Sequence, residues 1–93
     1  LTGVNELDGN DIELSAYPNP ASDNLTVKYN VKGSATNVVL NVYDVLGQEI
    51  ISKNLNGSKG SIKLNLEAVN SGVYFYAIKV AGKTVRTERF IVR

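Results

Sequence analysis

The chain of 93 residues predicts an all-β domain, a two-layer antiparallel sandwich of seven strands. Three observations carry that expectation. Runs of alternating apolar and polar residues recur roughly every ten residues, the spacing of short strands in a sandwich. No run sustains the 3.6-residue apolar period of a helix. Clusters of Gly, Pro, Asn, Asp and Ser separate the runs, as turns require.

The stretch 66–80 organises the rest. Tyr74, Tyr76, Ile78 and Val80 share parity, so one face of a strand carries four large apolar side chains. Asn70-Ser71-Gly72 forms a corner just ahead of them. A tyrosine past such a corner can bury its ring and return its hydroxyl to backbone a few residues upstream, and Tyr74 is placed to do so. Such a corner is shared by immunoglobulin-like and fibronectin-like sandwiches, and the strand spacing predicts Greek-key connections; a small open barrel is the second architecture the pattern permits.

Residues 1–10 mix Gly, Asn, Asp and Glu with scattered aliphatics and read as a linker from something upstream, with the folded domain over 11–93. Ile12, Leu14 and Ala16 then alternate with Glu13 and Ser15 until Tyr17-Pro18-Asn19-Pro20, where two prolines remove two backbone donors and force a turn. Leu25, Val27, Tyr29 and Val31 form the cleanest alternation, and Gly33-Ser34 breaks it. Val38, Leu40 and Val42 belong to a third strand with apolar residues on both faces in its first half, as in a central strand. Asp44-Val45-Leu46-Gly47 closes it, with Gly47 at the left-handed position of a tight hairpin.

The fourth run, 48–55, carries Ile50 and Ile51 side by side, so either one is only partly covered or the strand bulges there. A loop over 56–60 leads to Ile62, Leu64 and Leu66 in the fifth. Ala81-Gly82-Lys83 makes a hairpin into the last strand, 84–92. There Val85 is odd while Phe90 and Val92 are even, a parity break that predicts a bulge between Val85 and Phe90.

Composition narrows the chemistry. His, Cys, Met and Trp are absent, which removes Ser-His-Asp and Cys-His nucleophile systems and Cys/His zinc sites. The acids are scattered singly, with no Asp-rich calcium loop. Only a carboxylate pair assembled by the fold is left open, and a sandwich this small has little room to enclose a substrate. No catalytic residue, metal or cofactor is expected. Net charge is +1 with both signs interspersed, so nothing points to nucleic acid. No apolar run approaches the roughly 20 residues of a membrane-spanning helix, so no membrane insertion is expected. Asn24-Leu25-Thr26 and Asn56-Gly57-Ser58 match a glycosylation sequon and read better as turns. Lys79, Lys83, Arg86, Arg89 and Arg93 thicken toward the end and read first as a solvated basic edge that discourages sheet-to-sheet aggregation.

Several of these motifs occur together in one order. Tyr17-Pro18-Asn19-Pro20-Ala21, Leu25-Thr26-Val27, Val42-Tyr43-Asp44-Val45-Leu46-Gly47, Leu66 with Gly72-Val73-Tyr74, Gly82-Lys83 and Arg89-Phe90-Ile91-Val92 resemble the type A C-terminal sorting domain of the type IX secretion system, the Por secretion family of Bacteroidetes-type bacteria. The resemblance covers roughly residues 12–93. It implies an immunoglobulin-like fold for the seven-stranded antiparallel sandwich, and a non-catalytic address on secreted cargo, read in the periplasm by an outer-membrane translocon. A sortase-like peptidase then commonly removes it at the cell surface, cutting in the preceding linker, here somewhere in 1–11. It also implies that the signal lies chiefly in 82–93, with Lys83, Arg86, Arg89 and Arg93 as charge contacts and Phe90, Ile91 and Val92 as apolar ones. Pro18, Asn19, Pro20, Gly47, Gly72 and Tyr74 are then structural members of the pattern. Many members end in lysine-rich tails; this chain has Arg93 alone.

Two alternatives stay open on the residues. Phe90 and Val92 can equally fill the core. The domain can also be a fibronectin-like or carbohydrate-binding accessory module of an extracellular enzyme, for which Tyr17, Tyr43 and Phe75 would have to form one exposed platform. An edge position for the last strand would permit a homodimer through it.

Overall fold

Alternating side chains need a second layer to bury against, and the chain supplies it as two sheets. The computed structural model describes residues 12–32, 37–55 and 57–93. The strands are β1 (Ile12–Tyr17), β2 (Asn24–Val31), β3 (Val38–Tyr43), β4 (Glu49–Asn54), β5 (Lys59–Asn65), β6 (Gly72–Val80) and β7 (Lys83–Val92). One sheet has the order β1-β2-β5 and the other β4-β3-β6-β7, every neighbouring pair antiparallel. The predicted seven-stranded antiparallel immunoglobulin-like sandwich is the observed one. The linker expected over 1–10 and the break at Gly33-Ser34 lie outside the described residues.

The inward parities are those the alternation predicts. Leu25, Val27 and Leu64 from the three-stranded sheet meet Leu40, Val42 and Ile78 from the four-stranded one, all nearly solvent-free. Tyr74 is buried, and its hydroxyl donates to the carbonyl of Asn70 at 2.7 Å, closing the tyrosine corner. Phe90 lies directly across from Tyr74. Its ring stacks on Tyr74 with centroids 5.8 Å apart and meets Tyr76 edge-on at 5.7 Å. Both geometries suit the ring quadrupoles.

Two irregularities reset parity. Val42 pairs with Ile51 but Tyr43 pairs with Glu49, so Ile50 is an extra residue and stays partly exposed. Both outcomes foreseen for the Ile50-Ile51 pair therefore occur together. In β7, Ile78 pairs with Arg86 and Lys79 with Thr84, which makes Val85 the extra residue. The bulge thus sits at the N-terminal limit of the interval expected for it. Val85 still packs against the core, and beyond it the even residues turn inward.

The two hairpins use left-handed backbone where expected. Gly47 has φ +83°, and the Asp44 carboxylate accepts from the amides of Leu46 and Gln48 at 2.9 Å each. Ala81 and Gly82 both have positive φ between β6 and β7, the pattern that matches strand twist in a two-residue turn.

Replacing Tyr74 by Phe keeps the ring but orphans the Asn70 carbonyl. The expected cost is about 1 kcal/mol, read as a lower denaturant midpoint at unchanged slope. Phe90→Ala, which empties the space between two rings, should cost about 3–5 kcal/mol by the same measurement.

Candidate recognition surface

After its bulge, β7 divides its residues cleanly. Phe90 and Val92 point inward and are 1% and 3% exposed, while Thr87, Arg89, Ile91 and Arg93 point outward. Of the residues expected to meet a partner, Phe90 and Val92 therefore fill the core and are inaccessible while the domain is folded. Arg89, Ile91, Arg93 and, at the hairpin, Lys83 remain on the surface.

Arg86 behaves differently from the basic edge proposed for it. Its pairing with Ile78 places it on the inward parity at the open side of the sandwich. There its Nη1 donates to the Ile12 carbonyl of β1 at 2.7 Å, and its Nε pairs with Glu88 at 2.8 Å. A guanidinium has a fork of donors and can serve both at once. Arg86 consequently ties the edge strand of one sheet to the edge strand of the other. The ion pair, with both side chains about a third exposed, contributes at most about 1 kcal/mol, so the charge-assisted bond to the carbonyl is the stronger tie.

β7 is the outer strand of its sheet, but part of its edge is taken. Past Tyr17 the chain turns through Pro18, Asn19 and Pro20 and lays Ala21 parallel to Val92. The Ala21 amide donates to the Ile91 carbonyl at 2.8 Å, the Arg93 amide donates to the Ala21 carbonyl at 2.9 Å, and the Ile91 amide donates to Asn19 Oδ1 at 3.1 Å. By the alternation of an antiparallel ladder, the N–H and C=O groups of Thr87 and Arg89 face the same way. The edge offered for main-chain pairing is thus confined to the stretch before Ile91. The Pro-Asn-Pro segment, expected only to end β1, also caps the last strand; no local signal in the sequence announces that.

The other outer features are quickly placed. Tyr43 and Phe75 are cross-strand neighbours on the outer face of the four-stranded sheet, whereas Tyr17 lies on the outward parity of the opposite sheet. The three do not form a platform, which removes the geometry a sugar-stacking module needs. An open concavity beside β1, bordered by Glu13, Ser15, Lys28, Asn30, Lys59 and Arg86, holds a single carboxylate. Among the described residues no group of three or more acids is placed to hold a metal ion.

Two outcomes test this geometry. Asn19→Ala should leave the fold intact, cost roughly 0.5–1 kcal/mol and speed hydrogen exchange at the Ile91 amide while the β6–β7 ladder stays protected. The second concerns Tyr76, whose hydroxyl is pushed above its ordinary value by burial and then by Glu88, with Arg86 acting in the opposite direction. The neutral form is the one the fold favours, so its contribution is complete below the unfolded value of about 10 and is lost as pH rises through the folded one. Thermal midpoints of the wild type should fall more steeply above about pH 10 than those of Tyr76→Phe.

Comparison with known proteins gives this arrangement a family. A family model described as a secretion system C-terminal sorting domain matches residues 15–93. An endo-acting ulvan lyase from Formosa agariphila is 30% identical over 81 residues, which is 87% of this chain and 15% of that protein. The fold matches part of the dimeric latent PorU of Porphyromonas gingivalis with a TM-score of 0.73 and 23% identity, covering 87% of this chain and 9% of that one. It also matches part of PorZ, an essential bacterial surface component of the type-IX secretion system of the same organism, with a TM-score of 0.66 and 22% identity over 86% of this chain and 11% of that one. The chain therefore spans only a small fraction of the length of these proteins. With nearly its whole length matched, the chain belongs to the secretion system C-terminal sorting domain family, the type IX family its motifs resemble.

Proposed function

We propose that this domain is the address of a secreted protein. It directs cargo attached at its N-terminal side across the outer membrane through the type IX system, and works by being bound rather than by catalysis. Cargo and domain are together in the periplasm, where the domain is read by the outer-membrane translocon. A sortase-like peptidase at the cell surface then cuts in the linker preceding β1, leaving the cargo on the outer membrane or released. The ulvan lyase illustrates the kind of cargo, since the chain corresponds to 15% of it and the rest is free to carry another activity.

The observation that carries this reading is the outward row of β7. Arg89, Ile91 and Arg93 are exposed, two cations around one aliphatic, on a strand fixed from behind by Phe90 and Val92 and from the side by Asn19 and Ala21. A rigid, presented strip of this kind suits a binding surface, because little freedom is lost when it is bound. Lys83 and Arg86 lie nearer the hairpin, and Arg86 acts mainly by holding β1 to β7. Homodimerisation through β7 would have to use the uncapped edge ahead of Ile91.

The test fuses a periplasmic fluorescent protein ahead of the 93-residue chain in a type IX-competent bacterium. Deleting 83–93 would also remove Phe90 and Val92 from the core, so the informative variant is Arg89→Glu with Arg93→Glu, which leaves the packed face untouched. The wild-type fusion should reach the surface, and the double variant should accumulate in the periplasm with surface signal down about tenfold, the effect of roughly 1.4 kcal/mol of lost binding. Equal export of both would refute the assignment to β7.

A further inference from the structure

Exposed large hydrophobics are not scattered over this domain. Six occur among the described residues, and five of them, Val45, Leu46, Ile50, Val73 and Ile91, gather at one end of the four-stranded sheet. The registers explain the clustering. Val73 pairs with Ile91, Phe75 pairs with both Arg89 and Tyr43, and Tyr43 pairs with Glu49 and runs straight into the β3–β4 hairpin. Val45 and Leu46 form its tip and are 65% and 87% exposed.

This tip is held in shape. The Asp44 carboxylate accepts from two amides of the turn, the Asp44 amide donates to the Gln48 carbonyl, and the Gly47 amide donates to the Asp44 carbonyl. A leucine almost wholly in water on a turn that cannot collapse over it is a pre-ordered anchor for a complementary cavity. A single exposed leucine would need no account, but five exposed aliphatics at one end of one sheet do.

Charge gives the patch a direction. Across the sheet, one transverse row reads Glu49, Tyr43, Phe75, Arg89: an acid, two half-buried rings, a base. The acid is positioned from beneath by Asn41, which is buried on the outer parity, donates to Glu49 Oε1 at 2.8 Å, and has no hydrogen-bond partner for its own Oδ1 among the described residues. A buried amide with an unmet acceptor is poor packing, and orienting Glu49 is the purpose its geometry supports.

We propose that this end of the four-stranded sheet, with the Val45-Leu46 tip as its anchor, is a second docking surface for a protein partner. That partner presents an apolar cavity or ridge flanked by an acidic group facing Arg89 and a basic group facing Glu49. The surface is continuous with the outward row of β7 through Ile91, so this inference rests on the sorting function proposed above and extends the reading surface beyond the last strand. Opposite charges at its two ends fix the orientation of docking.

The test is competition inside the cell. The fluorescent fusion is exported while the 93-residue chain without reporter is co-expressed in the periplasm. The free wild-type chain should occupy the partner and reduce surface fluorescence several-fold, whereas a chain carrying Leu46→Ser and Val73→Thr, with unchanged thermal midpoint and its outward β7 row intact, should need several-fold higher expression to reach the same reduction. Val45→Ser with Leu46→Ser serves as the second competitor should the first fail to fold. If the folded variants compete as well as the wild type, or if the wild-type chain does not compete at all, the inference is overturned. A wild-type chain that sediments as a dimer while the variant is monomeric would assign the patch to a second copy and overturn it equally. A fusion that never reaches the surface would sink the sorting function and this inference together, and it is recognisable because no competitor is then needed to see the failure.

Discussion

One extra residue in the last strand decides how this domain is both held together and presented. Without the bulge at Val85, a strand with period two would carry the parity of Val85 to its end and turn Arg89, Ile91 and Arg93 inward. Three such side chains, two of them charged, have no place between two sheets. With the bulge, Val85 packs the start of the strand, Phe90 and Val92 pack its end, and the cations go to water. Phe90 then finds Tyr74 and Tyr76, and the tyrosine corner at Asn70 fixes where those rings stand.

That constraint gives β7 two distinct faces. Its inner residues are among the most buried in the molecule, and its outer residues are those proposed to be read. The outer row exists in its observed geometry only while Phe90 and Val92 are seated. Asn19 and Ala21 add to this by pinning the end of β7 from the connection between β1 and β2, and Arg86 by bonding to the Ile12 carbonyl. The contacts of Asn19 and Ala21 with the β7 backbone also shorten the unpaired edge of β7, which limits unwanted strand pairing.

Much of this was legible in the chain. Leu25 to Val31 and Tyr74 to Val80 state their buried faces by simple alternation, Gly47 marks the left-handed hairpin position, and Tyr74 lies just past its corner. These are local relations, dictated by backbone periodicity and turn sterics, and they survive without knowledge of what packs opposite. Arg86 was not legible, because its side of the strand depends on which residue the bulge inserts, and its acceptor is a carbonyl 74 positions away in sequence. Nor was the capping of β7 by Asn19 and Ala21, since a Pro-Asn-Pro turn reads only as the end of one strand until the second strand is in place. The adjacent Ile50 and Ile51 announced an irregularity, and only the pairing with Val42 and Tyr43 showed which isoleucine is extra.

By itself, then, the order of residues determined seven strands, their inward faces, the two hairpins and the tyrosine corner, because each follows from steric preferences over a few neighbouring positions. Tertiary structure alone decided that Phe90 and Val92 belong to the core, that Arg86 closes the sandwich, and that scattered aliphatics such as Leu46, Val73 and Ile91 share one end of one sheet. Those outcomes depend on contacts between segments far apart in the chain, and no local preference encodes which distant partner a side chain will meet.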